Sequence, residues 1–295
     1  MGSELVNGKV TIRPVQRFGW VPDIPDARDF LFSAPESVLT ALPKKVDLRP
    51  KMPPVYDQGH LGSCTANAIA AAFEFDQTQE KQPDFMPSRL FIYYNERAIE
   101  GTTGTDSGAM LRDGIKSVAK IGVCDEQIWP YEITRFTRKP SRAAYSDASR
   151  HQALVYRRVM GNLHQMQGCL ASGYPFVFGC SVYESFMSDA VARTGKVPLP
   201  PRGEQLLGGH AMLAVGYDDA TGRFIVRNSW GPSWGAKGYC TMPYGYLTDP
   251  QLAQDFWAIY TVEVAGPAPA RKAATNGRGR RRKPASRKVS GSRSR

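Results

Sequence analysis

Between residues 64 and 94 apolar side chains recur at helical spacing. The Ala-rich run that follows Cys64 has the highest intrinsic helix propensity in the chain, and the pattern continues through Ser88-Arg89-Leu90-Phe91-Ile92-Tyr93-Tyr94. A Gly/Thr-rich loop at 101–108 interrupts it, and a further helix is predicted from about Met110 to Ile121, closed by Gly122. After residue 150 the period changes. Apolar runs at 174–183, 211–217, 224–226 and 257–262 read as strands, and the block 195–209, with Pro198, Pro200 and Pro201, reads as a long irregular loop. A helical half followed by a strand-rich half predicts an α+β protein.

The two ends follow neither pattern. In residues 1–41 the stretch Gly19-Trp20-Val21-Pro22-Asp23-Ile24-Pro25-Asp26-Ala27-Arg28-Asp29-Phe30 mixes large apolar groups with Pro and Asp, which suits an extended strip laid along a surface. Residues 264–295 hold eleven Lys and Arg and no acidic residue. Taking these from the chain's 38 basic residues leaves 27 against 27 acidic ones, so the whole net charge of +11 sits in the tail. Without aromatic and with almost no branched apolar residues, the tail cannot bury a core and is expected to be disordered. Its chemistry suits an anionic partner, either nucleic acid or a membrane surface, and equally a solvated tail without a partner. Base stacking is not expected, because no aromatic residue is interleaved.

Composition bounds the middle. With 295 residues and 42% apolar content, the chain supports one large or two small domains. No window approaches the roughly 20 apolar residues of a membrane span. The first 30 residues lack the apolar core of a secretory signal, leaving the cytoplasm or a non-classical export route as the expected compartment.

The candidate chemistry starts at Gln58-Gly59-His60-Leu61-Gly62-Ser63-Cys64. Gly59 and Gly62 give a loop that can pass close to a ligand, Ser63 is a good N-cap, and Cys64 falls in the first helical turn. Unpaired backbone N–H groups there favour a thiolate, a strong nucleophile. Two later stretches supply a base and a group to orient it: Gly208-Gly209-His210-Ala211-Met212, and Arg227-Asn228-Ser229-Trp230-Gly231-Pro232-Ser233-Trp234-Gly235. Singly, each has a plainer reading: a buried thiol, a satisfied core histidine, a turn-starting asparagine, a glutamine capping a helix. His60, His151 and His164 have no comparable context.

Together these motifs resemble the papain-like cysteine peptidases. Gln58 stands six residues before Cys64, His210 stands 146 after it ahead of an apolar strand, and Asn228 follows at 164 in an Asn-Ser-Trp-Gly run. The likeness spans residues 42–263, and bacterial members such as xylellain share the Leu-Gly-Ser-Cys-Thr-Ala-Asn form of the nucleophile motif. It implies a papain-like fold, with a helical left lobe, an antiparallel β-barrel-like right lobe, and the active site in the cleft between them. It further implies a cysteine endopeptidase in which Cys64 forms a thioester, His210 shuttles the proton, Asn228 orients the imidazole, and Gln58 and the Cys64 N–H form the oxyanion hole. Trp230 would cover the Asn/His pair. Gly108 and Ser107, with Gly209 and Ala211, would bind substrate. Met212 and residues near Gly179 would help to line an apolar pocket for the second residue before the scissile bond.

The same resemblance implies no cofactor and no metal, a peptide or protein substrate, and a monomer. Two departures stand out: Leu61 replaces a usually paired cysteine, and Thr65 replaces an aromatic residue. Cys124, Cys169, Cys180 and Cys240 are expected to be buried structural thiols. Residues 1–41 are too short and Pro-rich for the family's usual helical propeptide, and are expected to pack as a propeptide-like cover over part of the cleft. Alternatives on the same residues are acyl transfer to an amine, or an inactive peptidase-fold binding module targeted by its tail.

Overall fold

The small residues behind Cys64 allow close approach from every side, and in the computed structural model they form the central helix, Cys64–Gln79. The model describes residues 2–6, 9–13, 18–81 and 85–264. Ala66, Ala68, Ala70, Ala71 and Ala72 are all buried, and the helix is wedged between a sheet and the helices Arg89–Glu100 and Leu111–Ile121. The helical periodicity of 64–94 therefore belongs to two helices. The first ends at Gln79, with Lys81 in the left-handed region (φ 54°), and the second starts after Pro87, with the Ser88 hydroxyl accepting the Phe91 N–H. Pro83 and Pro87 both fall in the segment between them, and neither has an N–H to donate to a continuing helix. The third helix ends at Gly122, as predicted; its φ of +85° and its approach to the Ala148 carbonyl both exclude a Cβ.

Eleven strands are described: β1 Gly2–Val6, β2 Lys9–Arg13, β3 Trp20–Val21, β4 Lys45–Asp47, β5 Ala109–Met110, β6 His151–Arg158, β7 Phe176–Tyr183, β8 Leu206–Asp218, β9 Arg223–Arg227, β10 Tyr239–Pro243 and β11 Ala253–Val264. The main sheet runs β10-β9-β8-β7-β11-β6 with β4 beside β8, antiparallel throughout, and it stays open, with β10 and β6 at its two ends. Phe176, Phe178, Phe224 and Phe256 pack ring to ring in its core. The predicted loop 195–209 is shorter than expected. β8 starts at Leu206, so Gly208, Gly209 and His210 lie in a strand, with His210 opposite Cys180. That registration holds His210 rigidly against the sheet.

Residues 18–34 are woven into the body. β3 pairs in parallel with β5, Trp20 opposite Ala109. Downstream, the Asp23 N–H donates to Asp255 (2.8 Å), and Asp23 accepts the Trp257 indole N–H (2.9 Å) and the Arg112 backbone N–H (3.0 Å). Arg112 pairs with Asp29, Arg158 bridges Asp29 (3.2 Å) and Asp255 (3.1 Å), and Phe32 and Ala34 are buried in the main core. Burial, with Asp255 next to it, pushes the Asp23 carboxyl up to about 6. The Trp257 donor is therefore important to this anchor. Trp257→Phe is expected to lower stability by about 1–3 kcal/mol, because a buried acceptor loses its donor; an unchanged urea midpoint would count against the anchor.

All five cysteines are free and buried. Among the described residues no helix is long and apolar enough to cross a membrane, and no cluster of side chains could hold a metal ion. The basic tail lies outside the described residues apart from Val264.

Candidate active site

Cys64 begins the central helix and His210 stands in β8, and the helix packs directly on that strand. The backbone N–H groups of Ala211, Gly19 and Thr65 point at the thiol, so Cys64 lies beside the residue that follows His210. His210 Nε2 is 2.8 Å from Asn228 Oδ1. The Ser229 backbone N–H donates to the same oxygen at 2.8 Å. A backbone N–H can only donate, so this contact identifies the atom facing His210 as the oxygen. The imidazole must then carry its proton on Nε2. Nδ1, buried and with no hydrogen-bond partner among the described residues, keeps a free lone pair. That is the tautomer a thiol's proton acceptor requires.

Trp230 stacks on His210 at 4.7 Å with rings 30° apart and is itself edge-on to Trp234 at 5.1 Å, which keeps water off the Asn/His pair. Gln58 is fixed from both ends. Ser229 Oγ donates to its Oε1 at 2.6 Å, and its Nε2 donates to the Leu61 carbonyl at 2.9 Å. One Nε2 hydrogen is thus used to hold the amide in place, and the second is available to an incoming oxygen. Behind Gln58, Tyr131 donates its hydroxyl hydrogen to the Gln58 carbonyl at 3.0 Å and lies 2.5 Å from Ser63 Oγ. Ser63 occupies the N-cap position but makes no cap bond, because Tyr131 and Asn67 engage its hydroxyl.

The family model of papain family cysteine proteases matches residues 42–257. This chain belongs to that family. It is 42% identical over 272 residues, covering 84% of itself and 88% of the relative, to an uncharacterized peptidase C1-like protein of Acanthamoeba polyphaga mimivirus. A cathepsin B-like protein of Giardia intestinalis is 28% identical over 247 residues, covering 80% of this chain and 74% of its own. Among solved structures, xylellain, a cysteine protease from Xylella fastidiosa, superposes with a TM-score of 0.80 at 49% identity, over 86% of this chain and 99% of its own. The protein is accordingly a papain-fold cysteine peptidase, a hydrolase acting on peptides or proteins.

In this peptidase residues 18–20 of the N-terminal strip run beside the nucleophile loop and β8. Gly19 O accepts the Ala109 N–H at 2.8 Å, and a Cβ on Gly19 would stand 1.7 Å from the Gly62 carbonyl oxygen. Gly108, with φ +72°, would place a Cβ 2.2 Å from Gly19 O, and Gly209 one 2.5 Å from Trp20 O. Phe18 lies edge-on to His210 at 6.4 Å. Gly108 and Gly209 thus approach the strip's backbone, while the Ser107 hydroxyl donates to Thr102 Oγ1 (2.9 Å) and the Gly108 carbonyl (3.0 Å).

The strip also changes the electrostatics expected of a helix-start thiolate. Burial pushes the Cys64 thiol up to about 12, and the three backbone N–H groups offset only part of this. Burial also pulls the His210 imidazole down to about 4, against the Asn228 hydrogen bond, which favours its charged form. Both groups are neutral in this arrangement, because burial disfavours the charged form of each. Sequence reasoning missed Trp20, Asp255 and the positioning role of Ser229. Ser229 could have been found from its place between Asn228 and Trp230.

Proposed function

We propose that this peptidase cleaves peptide bonds through Cys64, His210, Asn228 and Gln58, and that residues 18–21 are its own cover. The observation that carries the reading is the double acceptance at Asn228 Oδ1, which leaves His210 Nδ1 as the free base. Once water and substrate replace the strip, Cys64 passes its proton to Nδ1 and its sulfur attacks the scissile carbonyl. The carbonyl oxygen takes up charge facing the Gln58 amide and the Cys64 N–H. His210 returns the proton to the leaving amine, giving a thioester on Cys64, and then draws a proton from the water that hydrolyses it. Rapid acid quench with an activated peptide ester is expected to leave one acyl group on Cys64, detected by peptide mass mapping. Acylation elsewhere, or none, would defeat this mechanism.

The strip's contacts support its role as a cover: Phe18 packs on Gly208 beside His210, Gly19 lies against Gly62 of the nucleophile loop and against Gly108, and Trp20 lies against Gly209 and Gly179. Ser229 is a positioning residue in this scheme. Ser229→Ala is expected to lower kcat roughly tenfold with KM nearly unchanged, since a loosened Gln58 serves the oxyanion and not the bound ground state. An equal rise in KM would point to a general loss of structure.

A further inference from the structure

A buried cation stands behind Gln58 and the start of the central helix. Arg89 is the first residue of the helix Arg89–Glu100 and is 7% exposed. Its Nε and Nη2 donate to the two carboxylate oxygens of Glu126 at 2.9 and 2.7 Å, and its Nη1 donates to the Asp57 carbonyl at 3.1 Å and to Asn67 Oδ1 at 3.2 Å. The rings of Tyr131 and Tyr56 flank the guanidinium, with centroids 4.0 and 4.8 Å from its central carbon. A buried ion pair adds little net stability, because taking both charges out of water costs much of what their attraction returns. What Arg89 holds gives its placement a different meaning.

Each contact leads to one of the two donors that face the scissile oxygen. The Asp57 carbonyl belongs to the same peptide group as the Gln58 N–H, and the Gln58 carbonyl on the other side accepts from Tyr131 at 3.0 Å. The backbone is thus pinned before and after Gln58. Asn67 Nδ2 donates to the Ser63 carbonyl at 2.9 Å. That carbonyl and the Cys64 N–H are the two ends of one planar peptide group, so Asn67 fixes the direction in which the N–H points. A line of hydrogen bonds therefore runs from the Arg89 cation through the Asn67 amide to the Ser63–Cys64 peptide. Each bond in such a line polarises the next, and a positive charge at its far end makes the Cys64 N–H a stronger donor to a negative oxygen.

We propose that Arg89 is a positioning residue for peptide hydrolysis: it holds Gln58 and the Cys64 N–H in the geometry that the tetrahedral intermediate requires, and its charge strengthens the second of these donors. The proposal rests on the peptidase reading above. Arg89 exchanges no proton with the substrate and acts through Asp57, Tyr131 and Asn67. Lysine cannot take its place, because an ammonium is a point donor that cannot span Glu126, Asp57 and Asn67 together.

Arg89→Lys tests this in full-length Gly19→Ala, whose added methyl has no room beside Gly62 with the strip in place. On a fluorogenic peptide kcat is expected to fall roughly thirtyfold with KM changed less than about twofold, a larger loss than that of Ser229→Ala because both donors are loosened. Two further readouts separate positioning from a general loss of structure. A peptide aldehyde binds when the Cys64 thiol adds across its C=O: the C–S bond forms, the thiol proton passes to the oxygen, and that oxygen lies against the Gln58 amide and the Cys64 N–H. Its inhibition constant should weaken by about the same factor as kcat. Iodoacetamide is attacked at carbon with loss of iodide and builds no charge on an oxygen, so alkylation of Cys64 should stay within about twofold of the parent. An unchanged kcat, or alkylation slowed as much as kcat, overturns the proposal. If Arg89→Lys does not fold, Glu126→Gln replaces it, since the Glu126 side chain is 15% exposed and only one arm of the fork is lost. It should lower kcat and aldehyde affinity together by on the order of fivefold with alkylation unchanged; no change, or an equal fall in alkylation, overturns the proposal. Turnover of no peptide by the parent, alongside weakened aldehyde binding in Arg89→Lys, would count against the peptidase reading while upholding the support that Arg89 gives to the two donors.

Discussion

Cys64→Ala is expected to abolish hydrolysis of fluorogenic dipeptide substrates, lowering kcat/KM by at least ~10⁴-fold. The methyl group fits, since Cys64 is fully buried among small neighbours and alanine is the stronger helix former. The folded protein, its thermal midpoint and its substrate affinity should therefore be little changed. What is lost is the atom that forms the thioester; the remaining four cysteines are buried, and Cys180, which faces His210 across the β7–β8 pairing, lies near enough to Cys64 to feel its charge. Residual rate would come from the Gln58 amide and substrate binding alone. The comparison is best made in full-length Gly19→Ala, where the cleft is open. Turnover that survives there at more than about one part in a thousand would mean that the nucleophile lies elsewhere.

How much of this was legible in the sequence depended on whether the information was local. The nucleophile helix and the Gly122 stop are local signals, and Gln58, Cys64, His210 and Asn228 could be named because their motifs, taken together, resemble those of the papain-like peptidases. The helix break after Gln79 was hidden because the apolar spacing continues past it, although Pro83 and Pro87 mark it in the sequence. β6 was missed because its apolar run, Ala153 to Tyr156, is only four residues long and is flanked by His151, Gln152, Arg157 and Arg158. The Ser63 cap failed for a different reason: a tertiary partner, Tyr131, outcompeted a local bond. Least legible was the Trp20–Asp255 contact, which joins positions 235 residues apart and depends on two glycines whose importance lies in what they omit. The resting charge state of the site was illegible for the same reason. A helix start favours a thiolate, yet a strip contributed by residues 18–21 removes the water on which that preference depends.

Gly19→Ala is expected to uncover the enzyme. The added methyl would meet the Gly62 carbonyl oxygen at 1.7 Å and its carbon at 2.4 Å, and both are backbone atoms of the nucleophile loop that cannot swing away. The strip must therefore leave the cleft at this point, while its anchor at Asp23, Asp29 and Phe32 stays in place. An overlap of this size costs more than the 1.4 kcal/mol that corresponds to tenfold, so peptide turnover and alkylation of Cys64 should both rise by on the order of 10²-fold. Gly104→Ala, whose methyl meets nothing within 4 Å, should change neither. The pH dependence supplies an independent sign. In the native chain the thiol is held up to about 12, so alkylation should climb through pH 9 without levelling, because the thiolate fraction is still rising there. In Gly19→Ala, water returns, the thiol's proton can move to His210 Nδ1, and the resulting ion pair lowers the thiol below its ordinary value. The alkylation profile should then level off on the acid side of pH 8. A native profile already level at neutrality would mean that water reaches Cys64 past the strip, and that residues 18–21 do not close the site.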